Sequence, residues 1–281
     1  MLFIRLVNRA VQAVRRSCPP RAEGAPSSGR LWVYACDQWS WAGPEPPAAV
    51  YVFAHDRKAE RPAAHLTHLK GILHVDGYAG FYRLTDAGNI ILAACWAYTR
   101  RKSYEVAQSQ DMPVSEDMPV AHEALRRIAS LYAVEAQVHG QSAAHRLAMR
   151  RAFAKPIVDS LRPWLEMQPP QLPGRGNLGE AIGYALSHWD GLPRFLHGCC
   201  IELDTNSVER AIRPVAFGRK NNLFDENDDG RERRAILCSL IATCMPNHVE
   251  LYAFLRGMLQ RMLDGLLPWN ASPAGLAAGT A

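Results

Sequence analysis

The chain has 281 residues, of which 48% are hydrophobic and 21% charged, with a formal net charge of +5 and a pI near 8.9. That length and apolar content suit one large domain or two small ones, and exclude a disordered or collagen-like chain. The mild basic excess suits a polyanionic partner without requiring one. Seven cysteines, with no CxxC pair, exclude a disulfide framework of the secreted type and point to a reducing cytoplasm. No apolar run approaches the roughly 18 residues of a membrane span, so no membrane partner is expected.

The first residues, MLFIRLVNRAVQAVRR, are basic and amphipathic and read as a short surface helix or tail. Ser17 to Ser28 (SCPPRAEGAPSS) is rich in Pro, Gly and Ser and reads as a linker, with ordered structure beginning at Gly29. LWVYACD (Leu31 to Asp37) and AAVYVFAHD (Ala48 to Asp56) predict a hairpin with a long turn-like connection. A short helix near Ala63 to Lys70 precedes two more strands, Ile72 to Tyr78 and Ile90 to Trp96. The last strand runs directly into a basic helix carrying Arg100, Arg101 and Lys102.

From about Met118 the apolar spacing turns helical, as at Leu125, Ile128, Leu131 and Tyr132. Pro169 to Gly176 breaks that block. A helix over Leu178 to Leu196, a short extended piece CCIELD and a helix starting near Asn206 follow. Two further helices precede a low-complexity tail. Strands followed by helices of this kind predict an α/β class.

Two acids stand out. Asp76, in HVDGYAGF, follows an apolar strand and precedes Gly, which places it at a sheet edge where ligands bind in open α/β sheets. The same Asp-Gly pair is also an ordinary turn signal. Glu209, in DTNSVERAIRPVAFGRKNNLF, is either an inward-facing metal ligand or the N3 residue of a capping box opened by Asn206. Arg210, Arg213, Arg219 and Lys220 cluster on and after that helix, where they can neutralise phosphates or form a solvated face. His65 with His68, and His197 with Cys199 and Cys200, lack zinc-site spacing. Asp225, Glu226, Asp228 and Asp229 lack the alternation of a calcium loop. No P-loop, GxGxxG or GxSxG motif is present, which removes the NTPase, dinucleotide-binding and α/β-hydrolase readings.

Taken in order, GRLWVY, DRKAERPAAHL, GILHVDGYAGF, ACWAYTRRK, TNSVERAIRPVAFGRKNNLF, GRERRAILCSLIATC and LLPWN resemble the insertion-sequence-66 transposase family, over roughly Gly29 to Asn270. The resemblance implies a DDE transposase that cleaves and joins double-stranded DNA at the ends of a mobile element. It also implies Mg2+ held by three carboxylates, and other transposase subunits as possible partners. Asp76 matches the family's second acid and Glu209 its third, so these two are the expected catalytic and metal-binding residues. Arg100, Arg101, Lys102, Arg210, Arg213, Arg219 and Lys220 are the expected DNA contacts.

The implied fold is an α/β, RNase H-like mixed sheet core with a large helical insertion and C-terminal helices. Its organisation is a basic tail and linker (1–28), the first part of the core (29–104), the insertion (105–200), the Glu-bearing region (201–245), a C-terminal helical segment (246–270) and a disordered tail (271–281). Two departures matter. The family's first Asp lies on the first core strand, before the segment matching GRLWVY; here that stretch holds only Glu23. The core is therefore expected to lack its first strand, as in a truncated or decayed gene, with weakened metal binding and no strand cleavage. Tyr98 stands where the family usually has His, and a phenol cannot act as an imidazole base. The alternative is a non-catalytic DNA-binding or regulatory remnant.

Overall fold

The computed structural model describes residues 11–17, 30–86, 88–108, 117–168, 177–217 and 228–266. The described part is a mixed α/β assembly, mostly helical, with one five-stranded sheet. The strands are β1 (Val11–Ser17), β2 (Arg30–Cys36), β3 (Ala48–Ala54), β4 (Gly71–Val75) and β5 (Ile90–Ala94), in the order β3-β2-β1-β4-β5. β1 pairs antiparallel with β2 and parallel with β4, and β4 pairs parallel with β5.

This corrects the expectation of a core without its first strand, and of ordered structure beginning only at Gly29. Val11–Ser17 is neither surface helix nor linker; it is the central strand. The physical reason is tertiary. Without β1, β2 and β4 would each present a row of unpaired N–H and C=O groups inside the sheet. A short VQAVRRS segment with two β-branched residues satisfies both rows, whatever its own amphipathic pattern suggests.

The nine α-helices of the described residues are α1 (Glu60–His65), α2 (Trp96–Ala107), α3 (Asp117–Val138), α4 (Ala143–Met149), α5 (Lys155–Glu166), α6 (Asn177–Ser187), α7 (Asn206–Phe217), α8 (Asp228–Cys244) and α9 (Leu251–Leu266). α4 runs into α5 through one π-helical turn, Arg150–Ala154. The single helix expected over Leu178 to Leu196 is two pieces, α6 and a 3-10 turn at Leu192–Leu196. Gly191 between them and Pro193 at the start of the 3-10 turn break the α-helical ladder.

Side chains alternate across β2 and β3, and both faces of this strand pair are covered. Trp32, Tyr34, Val50 and Ala54 pack on one face with Leu66, Leu69 and Phe81. Leu31, Val33, Tyr51 and Phe53 pack on the other with Val208 and Ile212 of α7 and Ala235 of α8. The outer edge of β3 is sealed by α8: the Tyr51 amide donates to Ser239 Oγ at 2.9 Å and the Ala49 amide to Thr243 Oγ1 at 3.2 Å. A separate core joins Trp96 to α3, α5, α6 and the 3-10 turn. It fixes this helical region to the end of β5.

His74 is fully buried in β4, and its Nε2–H donates to the Ala94 carbonyl at 3.1 Å. Burial holds its pKa down at about 4, against the ordinary 6.5, and the carbonyl only partly offsets this. His65 is held at about 4 in the same way, by burial and then by Arg61. Between these values the unfolded chain binds protons that the folded chain refuses, so stability falls as pH drops from about 6.5 to 4. The urea midpoint should decline through that window, and less steeply in His74→Gln.

Candidate functional site

The site lies at the C-terminal edge of the parallel strands. β4 ends at Val75, and Gly77 turns the chain with φ +85°, a conformation that glycine adopts without steric cost. Asp76 Oδ1 accepts the Tyr78 amide at 3.1 Å. Asp76 is thus a turn residue and a sheet-edge acid at once; the two sequence readings describe one geometry.

β5 leads through Cys95 into α2, whose first turn carries Tyr98. The buried face of α2 is Trp96, Thr99, Ser103, Val106 and Ala107, at helical spacing, so Arg100, Arg101 and Lys102 point to solvent. The start of α7 is tied to this corner. The Trp96 amide donates to the Leu203 carbonyl at 3.1 Å, and the Thr205 amide and hydroxyl reach Cys95 Sγ at 3.4 Å. One turn into α7, Glu209 Oε1 accepts the Tyr98 hydroxyl at 2.7 Å. The Tyr98 pKa is raised first by burial, then by the bond to Glu209 and by the charges of Glu209 and Asp76. Tyr98 therefore keeps its proton, within electrostatic reach of both acids.

Two more acids flank the start of α7. Asp204 accepts the Asn206 amide at 3.0 Å and the Asn206 side-chain Nδ2 at 2.6 Å. Burial raises the Asp204 pKa, against the bond from the Asn206 amide and one from Tyr132. Asp37 Oδ2 accepts from Ser207 Oγ at 3.3 Å and from Arg210 Nη2 at 3.5 Å. Even so, among the described residues no three His, Cys, Asp or Glu side chains converge as a metal-holding group. Of the three acids expected to hold divalent ions, Asp76 and Glu209 are among the described residues, and one oxygen of Glu209 accepts the Tyr98 hydroxyl.

The expected DNA contacts fall into two groups. Arg100, Arg101 and Lys102 are exposed on α2; the Arg101 guanidinium lies 5.0 Å over the Tyr98 ring, and Lys102 meets Glu105 at 4.0 Å. Arg210 and Arg213 are exposed on α7. Arg219 and Lys220 lie outside the described residues. Residues 16–233 match the family described as "Transposase IS66 family".

The chain belongs to the IS66 transposase family. It is 36% identical over 276 residues to uncharacterized protein y4hP of Sinorhizobium fredii (strain NBRC 101917 / NGR234), covering 92% of this chain and 50% of that protein. It is 35% identical over 266 residues to y4jD of the same strain, covering 89% and 51%. The IS66 chain thus spans about half the length of the curated relatives it matches. No described helix is long and apolar enough to cross a membrane.

Some residues at this corner of the IS66 chain are not legible in its sequence. Tyr184 and His188 come from α6 and the residue after it, and long-range contacts such as the bond from the Tyr184 hydroxyl to the Asp76 carbonyl, 3.4 Å, reveal their place. Asp204 is two residues before Asn206 in a motif already singled out, so proximity in sequence was the available signal. His65 bonds the Tyr34 hydroxyl at 2.9 Å, and the Cys199 and Cys200 sulfurs lie 3.2 Å from each other.

Proposed function

We propose that this chain is an IS66 transposase core of RNase H-like topology that binds double-stranded DNA and does not cleave it. The mixed sheet order β3-β2-β1-β4-β5, with the acids Asp76 and Glu209 near one edge, supports the core assignment. On this reading residues 105–200 form an insertion between the strand-bearing part and the Glu209 helix.

The observation that carries the loss of cleavage is the register of β1. Ala13 is opposite Val75, so one further residue sets Val14 level with Asp76. The strand reads VQAVRRS and offers no carboxylate at that level or beside it. Two acids without a third give divalent ions a weak, incomplete oxygen shell. The exposed Arg100, Arg101, Lys102, Arg210 and Arg213 remain able to neutralise phosphates, which needs no metal at all.

The test is a nicking and gel-shift assay on duplex DNA with Mg2+ or Mn2+. Duplex binding that weakens steeply with salt is expected, with no nicking above that of Asp76→Ala. Metal-dependent nicking that vanishes in Asp76→Ala would restore the cleaving enzyme as the better reading.

A further inference from the structure

The helical insertion lays a column of rings on the Asp76 turn. Tyr184 and His188, one turn apart at the end of α6, stack with centroids 4.2 Å apart and planes 28° apart. The Tyr184 hydroxyl donates to the Asp76 carbonyl at 3.4 Å. A Cβ on Gly77 would collide with that hydroxyl and sit 3.1 Å from His188 Nε2, so the rings rest directly against the turn. The corner beyond them is held to the strand end, where the Ala94 amide donates to the Gly191 carbonyl at 3.1 Å.

Tyr82, from the 3-10 segment Ala79–Thr85, continues the column outward. Its ring lies 6.3 Å from His188, tilted by 46°, and the residue is 47% exposed. None of the three rings belongs to the buried clusters that hold the fold. His188 Nδ1–H donates to the Tyr184 carbonyl at 2.8 Å, which locks the ring plane. Core packing therefore does not account for an ordered, partly exposed aromatic column running from Asp76 to solvent.

We infer that Tyr82, Tyr184 and His188 form a stacking platform for one unpaired nucleobase beside Asp76. This rests on the reading of the chain as a DNA binder. Aromatic faces stack on any base, so the platform is sequence-tolerant. The charge of Asp190 acts on Tyr82, and with Asp76 it disfavours a phosphate there. The platform takes the base, and the backbone falls to the basic side chains of α2. An unpaired end nucleotide fits this division; a fully paired duplex keeps its bases stacked on each other.

The experiment compares a blunt duplex with the same duplex carrying a single 2-aminopurine overhang, using the full chain. Tighter binding of the overhang duplex is expected, with quenched 2-aminopurine fluorescence. Tyr82→Ala and His188→Ala should each weaken overhang binding by between about fivefold and a hundredfold and lift the quenching, while Tyr82→Trp retains both. Tyr82 is at the surface, so its variants test stacking without disturbing a core. Equal binding of both duplexes without quenching, or indifference to Tyr82→Ala, overturns the platform and leaves DNA binding standing. Failure to bind either duplex overturns both.

Discussion

Replacing Arg150 with alanine should cost about 3–5 kcal/mol of stability, the range for breaking one side of a buried ion pair. Arg150 is 0% exposed and Arg146 1%. Arg150 Nε and Nη2 form a fork on the two oxygens of Glu135, both at 2.7 Å, and Nη1 donates to the carbonyls of Phe195 at 3.1 Å and Gly198 at 2.9 Å. Its removal leaves the Glu135 carboxylate to Arg146 and takes a donor from two carbonyls, that of Phe195 in a buried bond. Arg146 bonds Glu135 at 3.2 Å and Glu202 at 2.9 Å through Nη2 alone, while its Nε and Nη1 have no partner. Its replacement should cost less than that of Arg150.

The effect reaches the site, because Gly198 and Glu202 lie on the segment that delivers α7 and Glu209. Urea unfolding measures the loss. Arg150→Met combined with Glu135→Leu should recover much of it, since removing both charges leaves no unpaired ion. A single Arg150→Ala variant as stable as the parent would show that this network holds nothing.

Installing an acid on the central strand should have the second large effect. Val14→Asp places a carboxylate level with Asp76 in the parallel register of β1 and β4. A third oxygen donor should tighten Mn2+ or Mg2+ binding by on the order of tenfold to a hundredfold, since the count of charged ligands tunes affinity over decades. The readout is isothermal titration with the metal alone, before any cleavage assay. Val14→Asn, without the charge, should give little of this gain. The gain should disappear when Asp76→Ala is added, because the site needs both acids. Unchanged metal affinity in Val14→Asp would mean that the missing acid is not what limits this site.

Local chemistry was enough to place much of the fold. The β2–β3 hairpin follows from two aromatic and β-branched runs, which keep their alternation on either face of the sheet. The Asp76–Gly77 turn follows from the one dipeptide that ends an apolar strand with a positive φ. The basic face of α2 follows from helical spacing alone. Glu209 was visible as a helical acid near an N-terminus.

Its meaning was not visible, because a cap and a ligand require the same residue at the same place. The bond from Tyr98, 111 residues away, shows only that the carboxylate faces the corner between β5 and α2. β1 was decided only by its neighbours: seven residues with weak strand character are held by the backbone rows of β2 and β4. The ring column on Asp76 likewise exists only because the insertion folds back over β5.

Residues whose partners lie within a turn or along one strand were determined by the sequence itself. Those whose partners arrive from across the chain were decided by packing, since burial and backbone pairing act in space and local propensity does not see them.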